Sequence, residues 1–115
     1  MTVNDIIKIL NANIITASNL NTEVKTACGS DMMSDVLAYV KDQSVLITGL
    51  VNPQVVRTAD MMDIKCIVFV RGKEPDETVI ELAREKMITL ISTKLRMFTA
   101  CGLLYTHGLR GGCEI

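Results

Sequence analysis

Short runs of apolar residues alternate along this chain with longer segments in which apolar residues recur every three or four positions. A continuous short run suits a strand that is covered on both faces of a sheet, and the longer spacing suits a helix with one buried face. The short runs predict strands over 12–16, 44–48, 65–70 and 88–91, and a less regular run within the ambiguous segment 20–28 predicts a strand over 24–28. The helical spacing predicts five helices around these strands.

Polar residues that can cap a helix mark the beginnings of the predicted helices. These residues are Thr2, Asp31 after Gly29-Ser30, Asn52 before Pro53, Asp76 or Glu77, and Ser92 with Thr93. The second helix is predicted over 31–41, and the last helix is predicted to end at Gly108. The spacing turns Met87 of the fourth helix inward, and it places Met97, Phe98, Cys101 and Leu104 on the buried face of the last helix.

The order of these elements predicts an α/β fold. From residue 24 onward, strands and helices alternate, which is typical of a mainly parallel sheet flanked by helices. With 115 residues, the chain is long enough for one domain and too short for two. We expect this single domain to cover 1–109 and a flexible C-terminal tail to cover 110–115.

The balance of charges and the lack of long apolar runs exclude two classes of partner. Twelve Lys and Arg residues against thirteen Asp and Glu residues give a formal net charge of −1, so no basic excess is available for nucleic-acid phosphates. No apolar run approaches the roughly 18 residues of a membrane-spanning helix, and the N-terminus lacks the features of a secretion signal. We therefore expect a cytoplasmic protein that binds neither nucleic acid nor membranes.

The residues that commonly bind metals are scattered along the chain. Cys28, Cys66, Cys101 and Cys113 form no C-x-x-C pair, and His107 is the only histidine. Cys66 and Cys101 lie in apolar segments, and we predict that both are small buried hydrophobic residues.

Motifs of catalytic sites are missing from the sequence. It contains no phosphate-binding loop of the form G-x-x-x-x-G-K-[ST], no G-x-G-x-x-G and no G-x-S-x-G. Asp31 and Asp35 share one helix face, but acids are favoured in the first turn of a helix for electrostatic reasons alone. We predict no metal, no cofactor and no catalytic residue.

The segments that follow the predicted strands are candidates for a binding site, because the carboxyl ends of parallel strands share one edge of a sheet, where ligands commonly bind. The segments are Gly29-Ser30-Asp31, Thr48-Gly49 with Asn52, Arg71-Gly72-Lys73, and Ser92-Thr93-Lys94. They supply backbone N–H groups, hydroxyl groups and three cations, which suit a small anion such as a phosphate or a nucleotide. The same residues are also ordinary helix caps and turn residues, and both interpretations stay open at this stage.

Several strings of residues carry a resemblance to a known family. They are 29–37 (GSDMMSDVL), 46–49 (LITG), 52–59 (NPQVVRTA), 67–73 (IVFVRGK) with Pro75, and 90–93 (LIST) with Phe98. On these residues the chain resembles the small DRTGG-domain proteins, from about residue 3 to residue 109.

This resemblance implies an α/β fold like that of the N-terminal domain of HPr kinase/phosphorylase. Similar domains in CBS-containing pyrophosphatases and in long phosphotransacetylases look like regulatory or dimer-forming modules. The chain departs from the family pattern at Leu50-Val51-Asn52, where an Asp-Arg pair is frequent. It also departs at Arg71-Gly72, where Thr-Gly-Gly is typical.

The sequence and the resemblance together favour a non-catalytic regulatory domain that forms a homodimer and binds a small anionic or nucleotide-like ligand at the shared strand edge. One alternative is a purely structural module whose partner is another protein. A second alternative is a small phosphotransfer or redox enzyme that uses Arg71, Lys94 and Cys28. A serine-kinase activity is not expected, because the likeness to HPr kinase covers only its non-catalytic portion and a phosphoryl-transfer enzyme needs a phosphate cradle.

Overall fold

A computed structural model describes residues 1–113 of the chain. Its strands are β1 (Asn13–Thr16), β2 (Thr26–Gly29), β3 (Ser44–Thr48), β4 (Cys66–Phe69) and β5 (Thr89–Ser92). Its helices are α1 (Val3–Leu10), α2 (Met33–Tyr39), α3 (Pro53–Met61), α4 (Glu77–Glu85) and α5 (Met97–Thr106). The predicted alternation of strands and helices is therefore confirmed, with small shifts of the boundaries.

The five strands form one sheet in the order β1-β5-β4-β3-β2. The pairs β2–β3, β3–β4 and β4–β5 are parallel, and β1 pairs with β5 in the antiparallel direction. This confirms the predicted mainly parallel sheet. The strands β2 to β5 consequently end at one common edge, which we call the carboxyl edge.

Helices cover both faces of the sheet, which explains why its strands are almost continuously apolar. Leu46, Ile67 and Leu90 pack in one buried cluster with residues of α2, α3 and α4. Their neighbours along the strands, such as Ile47 and Val68, pack in a second cluster with residues of α1 and α5. Successive side chains of a strand point to opposite faces, so each central strand contributes to both halves of the core.

Three of the predicted helix caps are confirmed. The Thr2 hydroxyl accepts a hydrogen bond from the Asp5 N–H at 3.2 Å, and the Asp5 carboxylate accepts one from the Thr2 N–H at 2.9 Å. These reciprocal bonds form a capping box. The bond that the Thr2 N–H donates to the carboxylate is the main reason why the pKa of Asp5 lies below its usual value. Asn52 and Asp76 accept hydrogen bonds at 3.3 and 3.2 Å from the N–H groups of residues 55 and 79, and so cap α3 and α4.

The other two predicted caps are wrong. The residue before α2 is Met32 and the residue before α5 is Arg96, and neither caps its helix with a side-chain hydrogen bond. Asp31 lies ahead of its helix and bonds to β3 instead, as described below. Ser92 and Thr93 are buried at the end of β5, and their hydroxyl groups donate hydrogen bonds to backbone carbonyls of other segments.

Two large side chains that were predicted to face the core are exposed. Phe98 is 89% exposed, because the inward face of α5 is formed by Ala100 and Leu104. Met87 is 67% exposed, because it lies beyond the end of α4 in a turn with a φ of 58°. Met87 lies outside α4 and so does not follow the spacing of that helix. Phe98 lies within α5 but away from the face that Ala100 and Leu104 form.

The predicted tail begins next to the sheet. The Arg110 carbonyl accepts a hydrogen bond from the Ala27 N–H of the edge strand β2 at 2.9 Å, and its guanidinium lies 3.8 Å from the centre of the Tyr105 ring. Residues 114–115 lie outside the described residues, and the flexibility of 110–115 stays a prediction.

Among the helices of residues 1–113, none has the length and apolar character needed to cross a lipid bilayer.

Candidate functional site

The carboxyl edge brings together residues from all four segments that the sequence singled out. Asp31 lies against the end of β3, Arg71 lies against Gly49, and Gly72 lies beside Thr93 and Lys94. This convergence follows from the parallel pairing of β2 to β5, since parallel strands that follow one another in a sheet end at the same edge.

The end of β3 forms the first part of the site. The Asp31 carboxylate accepts a hydrogen bond from the Gly49 N–H at 2.6 Å and one from the Thr48 hydroxyl at 3.2 Å. The Thr48 hydroxyl also accepts a bond from the Leu50 N–H at 3.1 Å, which closes the turn after the strand. Thr48 is fully buried, so these bonds connect an exposed carboxylate to a rigid position of the sheet.

Gly49 permits a close approach between the backbone and a guanidinium group. A Cβ atom at this position would lie 2.6 Å from Arg71 Nη2 and 3.3 Å from Asp31 Oδ1. The first of these distances is too short for a carbon atom, so the position of the Arg71 side chain depends on the absence of a side chain at Gly49. Asp31, which follows β2, and Arg71, which follows β4, therefore both lie against the glycine that follows β3.

The turn after β4 fixes the direction of Arg71. Arg71 and Gly72 both have left-handed backbone conformations, with φ angles of 62° and 67°. Such a conformation is unfavourable for a non-glycine residue. Two backbone hydrogen bonds of 2.8 Å hold it, from the Arg71 N–H to the Leu95 carbonyl and from the Gly72 N–H to the Thr93 carbonyl.

Ser92 and Thr93 are the buried residues of the site at the end of β5. The Ser92 hydroxyl donates to the Lys73 carbonyl, and the Thr93 hydroxyl donates to the Leu10 carbonyl, each at 2.9 Å. The Lys94 side chain extends past Gly72, where a Cβ atom would meet its Cγ at 4.0 Å. The loops after β4 and β5 and the end of α1 are therefore joined at the carboxyl edge.

The cations of the site are available to a ligand. Arg71, Lys73 and Lys94 are exposed, and none of their side chains forms an ion pair or a hydrogen bond within residues 1–113. Three other cations of the described chain do form ion pairs with acidic residues, namely Lys65, Arg84 and Lys86, the last with Asp60 at 3.5 Å. The three unpaired cations give this end of the carboxyl edge a positive charge next to backbone N–H groups.

Three predicted site residues have other roles. The Ser30 hydroxyl accepts a bond from the Met32 N–H at 3.0 Å, and Asn52 caps α3. Gly29 is the last residue of β2 and faces α5, since a Cβ atom there would lie 2.6 Å from Cys101 Sγ. The structure thus brings Asp31, the end of β3 and the turns after β4 and β5 together, whereas Ser30 and Asn52 make local contacts and Gly29 packs against α5.

A cleft of about 250 Å³ lies next to Lys94, and the sequence did not indicate it. It is lined by Leu10, Asn11, Asn13, Thr93, Lys94 and Leu95. From the sequence, Asn11 and Asn13 are plausible residues to end the first helix, and Asn13 also lies in the strand predicted over 12–16. Their position beside β5 depends on the antiparallel pairing of β1, for which the sequence carries no local signal.

The titratable groups near the carboxyl edge do not indicate catalysis. Burial raises the pKa of the Cys28 thiol, and the negative charge of Asp35 raises it further. A raised pKa keeps the thiol protonated and disfavours its use as a nucleophile. In the described part of the chain, no three His, Cys, Asp or Glu residues are grouped closely enough to hold a metal ion.

A family model described as the DRTGG domain matches residues 5–106. The chain belongs to the DRTGG-domain family. Among solved structures, this DRTGG domain is similar to the CBS and DRTGG domains of the regulatory region of Clostridium perfringens pyrophosphatase, in a structure complexed with the activator diadenosine tetraphosphate. The TM-score is 0.75 and the sequence identity is 17%, so the likeness shows the fold.

The pyrophosphatase region is longer than this DRTGG domain. The match covers 99% of this chain and 52% of the pyrophosphatase chain, so the domain spans about half of that neighbour's length. No curated protein matches the sequence of this DRTGG domain.

Proposed function

We propose that this DRTGG domain is a non-catalytic regulatory domain that binds a small anionic ligand of the nucleotide class at its carboxyl edge and forms a homodimer. The observation that carries the ligand proposal is the unpaired Arg71 guanidinium held against Gly49, with Lys73 and Lys94 beside it. Guanidinium groups and backbone N–H groups are the donors that proteins commonly use for phosphates.

The comparison with the pyrophosphatase supports a regulatory role with a nucleotide ligand. That neighbour is a regulatory region, and it was crystallised with a dinucleoside polyphosphate as its activator. A polyphosphate carries several negative charges and matches the three cations better than a neutral metabolite does. The cleft beside Lys94 offers room for part of a nucleoside next to them.

A cytoplasmic location completes the proposal. Cys28, Cys66, Cys101 and Cys113 are all free, which is usual where thiols are kept reduced.

Thermal unfolding in the presence of candidate ligands tests the binding proposal. We expect the Tm to rise with the concentration of ATP, diadenosine tetraphosphate or inorganic pyrophosphate at constant ionic strength, because a ligand that binds only the folded state stabilises it by mass action. A Tm that stays constant up to millimolar concentrations of all these ligands would contradict it.

Two substitutions with a matched control locate the site. Arg71→Ala and Lys94→Ala should remove the ligand-dependent rise of the Tm without unfolding the protein, since both side chains are exposed. Lys25→Ala removes an exposed lysine that precedes β2 and therefore lies at the opposite edge of the sheet, and it should leave the rise unchanged. If all three variants lose the ligand-dependent rise of the Tm to the same extent, the protein attracts anions non-specifically and the proposed site is wrong.

The outer face of α5 supports the proposal of a homodimer. Helix α5 contains no charged residue, although Phe98 is 89% exposed and Tyr105 is 52% exposed. A helix that is apolar on both faces is usually covered by protein. The residues of α5 itself add no charge repulsion across a two-fold axis, and within residues 1–113 the one cation that lies on this face near Tyr105 is the Arg110 guanidinium, 3.8 Å from the ring centre.

Sizing by light scattering at several protein concentrations tests the homodimer. We expect a dimer in the wild type and a monomer in Phe98→Ser, while Tyr39→Ser, which changes an aromatic residue that is 71% exposed on α2, should remain a dimer. A wild type that is monomeric at several hundred micromolar would contradict self-association and favour a module that binds another protein.

A further inference from the structure

Asp31 uses the hydrogen-bond donors that an anionic ligand at the carboxyl edge would seek. Its carboxylate lies 2.6 Å from the Gly49 nitrogen and 3.2 Å from the Thr48 hydroxyl oxygen. The Arg71 guanidinium lies against the same glycine, since a Cβ atom at Gly49 would be 2.6 Å from Arg71 Nη2 and 3.3 Å from Asp31 Oδ1. A ligand phosphate drawn to Arg71 therefore meets both an occupied N–H group and a negative charge.

We propose that Asp31 is an internal competitor of the ligand, so that binding of a phosphate-containing ligand displaces its carboxylate and loosens the start of α2. This inference rests on the proposed function and names how the site would transmit the presence of a ligand. A single N–H group cannot serve two anions well, and two close anions repel each other.

The segment that contains α2 is weakly attached to the rest of the domain. The helix has seven residues, and among them only Val36 is buried. Its N-terminus has no side-chain cap, and Tyr39 is 71% exposed. The start of the helix is held against the sheet by the bonds of Asp31, two residues before it, and by the bond from the Ser30 N–H to the Ile47 carbonyl at 3.0 Å.

Ligand binding and the order of α2 are consequently coupled. If the ligand and the bound Asp31 carboxylate exclude each other, a variant without that carboxylate should bind the ligand more tightly, because coupling between two sites is reciprocal. The opposite relation holds if Asp31 itself binds the ligand, for example through a ribose hydroxyl. In that case, loss of the carboxylate weakens binding.

The sign of the effect of Asp31→Asn decides between these relations. Isothermal titration calorimetry with inorganic pyrophosphate, at constant ionic strength, should give at least tenfold tighter binding to Asp31→Asn than to the wild type. Asp35→Asn is the matched control, because it removes an exposed acid of α2 without touching β3. Its affinity should stay within twofold of the wild type.

Hydrogen exchange gives a second readout. Amides of Met33–Tyr39 should exchange at least fivefold faster in the wild type with pyrophosphate than without it. In Asp31→Ala, which has no acceptor for the Gly49 N–H and the Thr48 hydroxyl, they should already exchange at the faster rate in the absence of ligand. Circular dichroism checks that Asp31→Asn and Asp31→Ala are both folded.

The outcomes separate this inference from the proposed function. If the wild type binds pyrophosphate and Asp31→Asn binds it equally or more weakly, the inference is overturned and the ligand site stands. The same holds if the exchange of α2 does not respond to ligand or to loss of Asp31. If none of ATP, diadenosine tetraphosphate and pyrophosphate binds to the wild type, the ligand proposal fails, and the inference fails with it.

Discussion

Gly49 and Arg71 belong to the ends of two neighbouring strands and lie so close that a Cβ atom on Gly49 would be 2.6 Å from Arg71 Nη2. A methyl group at this glycine must therefore move the guanidinium. Since the end of a long side chain moves easily, we expect Gly49→Ala to lower the free energy of unfolding by less than about 1 kcal/mol. The same variant should weaken the binding of pyrophosphate, measured by calorimetry, about as much as Arg71→Ala does.

Gly29 is the matched control for this substitution. A Cβ atom at Gly29 would lie 2.6 Å from Cys101 Sγ, in a packed contact between β2 and α5. We expect Gly29→Ala to lower the free energy of unfolding by about 1–3 kcal/mol, as overpacking of a core contact does. Urea denaturation should also show that Cys101→Ala in the same chain restores part of this loss. If Gly49→Ala lowers the free energy of unfolding more than Gly29→Ala does, the contacts assigned to these two glycines are wrong.

The two phenylalanines of the chain provide a test of the core. Phe69 is fully buried at the end of β4, and Phe98 is 89% exposed on α5. Phe69→Ala should lower the free energy of unfolding by about 3–5 kcal/mol, because it leaves a cavity. Phe98→Ala should change the stability of the monomer by no more than about 0.5 kcal/mol in urea denaturation. Comparable losses in both variants at low protein concentration would be inconsistent with this fold.

Two buried threonines differ in whether their hydroxyl groups have partners. The Thr93 hydroxyl donates to the Leu10 carbonyl at 2.9 Å, whereas the buried Thr58 hydroxyl has no hydrogen-bond partner within residues 1–113. Thr93→Val should therefore lower the free energy of unfolding by about 1–2 kcal/mol. Thr58→Val should leave it unchanged or raise it, because a buried polar group without a partner is removed. Thermal unfolding of both variants checks this expectation, and a loss at Thr58 as large as that at Thr93 would contradict it.

The cysteines should differ in their reactivity with a thiol reagent. Burial raises the pKa of Cys66 to about 12 and also raises the pKa of Cys28 and of Cys101, whereas Cys113 is exposed. Since the thiolate is the reactive form, at pH 8 we expect Cys113 to react first and Cys66 to react only after unfolding. Absorbance with a disulfide reagent measures this order, and Cys113→Ser should remove the fast phase. A fast phase that survives this substitution would contradict the assigned burial.

The order and type of the elements could be predicted before the structure was known, because the spacing of apolar residues and the identity of helix caps are local properties. The continuous run around Val68 predicted a strand covered on both faces, and Asn52 and Asp76 predicted the starts of their helices correctly. The alternation of strands and helices predicted a mainly parallel sheet. A parallel sheet in turn predicted that the polar turns meet at one common edge.

The contacts of the residues at that edge could not be predicted in this way. Asp31 looked like a helix cap, but its partner is Gly49, 18 residues away, and the register between β2 and β3 brings the two together. The antiparallel pairing of β1 with β5 likewise places Asn11 and Asn13 beside Lys94. Contacts between segments depend on strand order and register, which are set by packing of the whole chain and leave no pattern in any single segment.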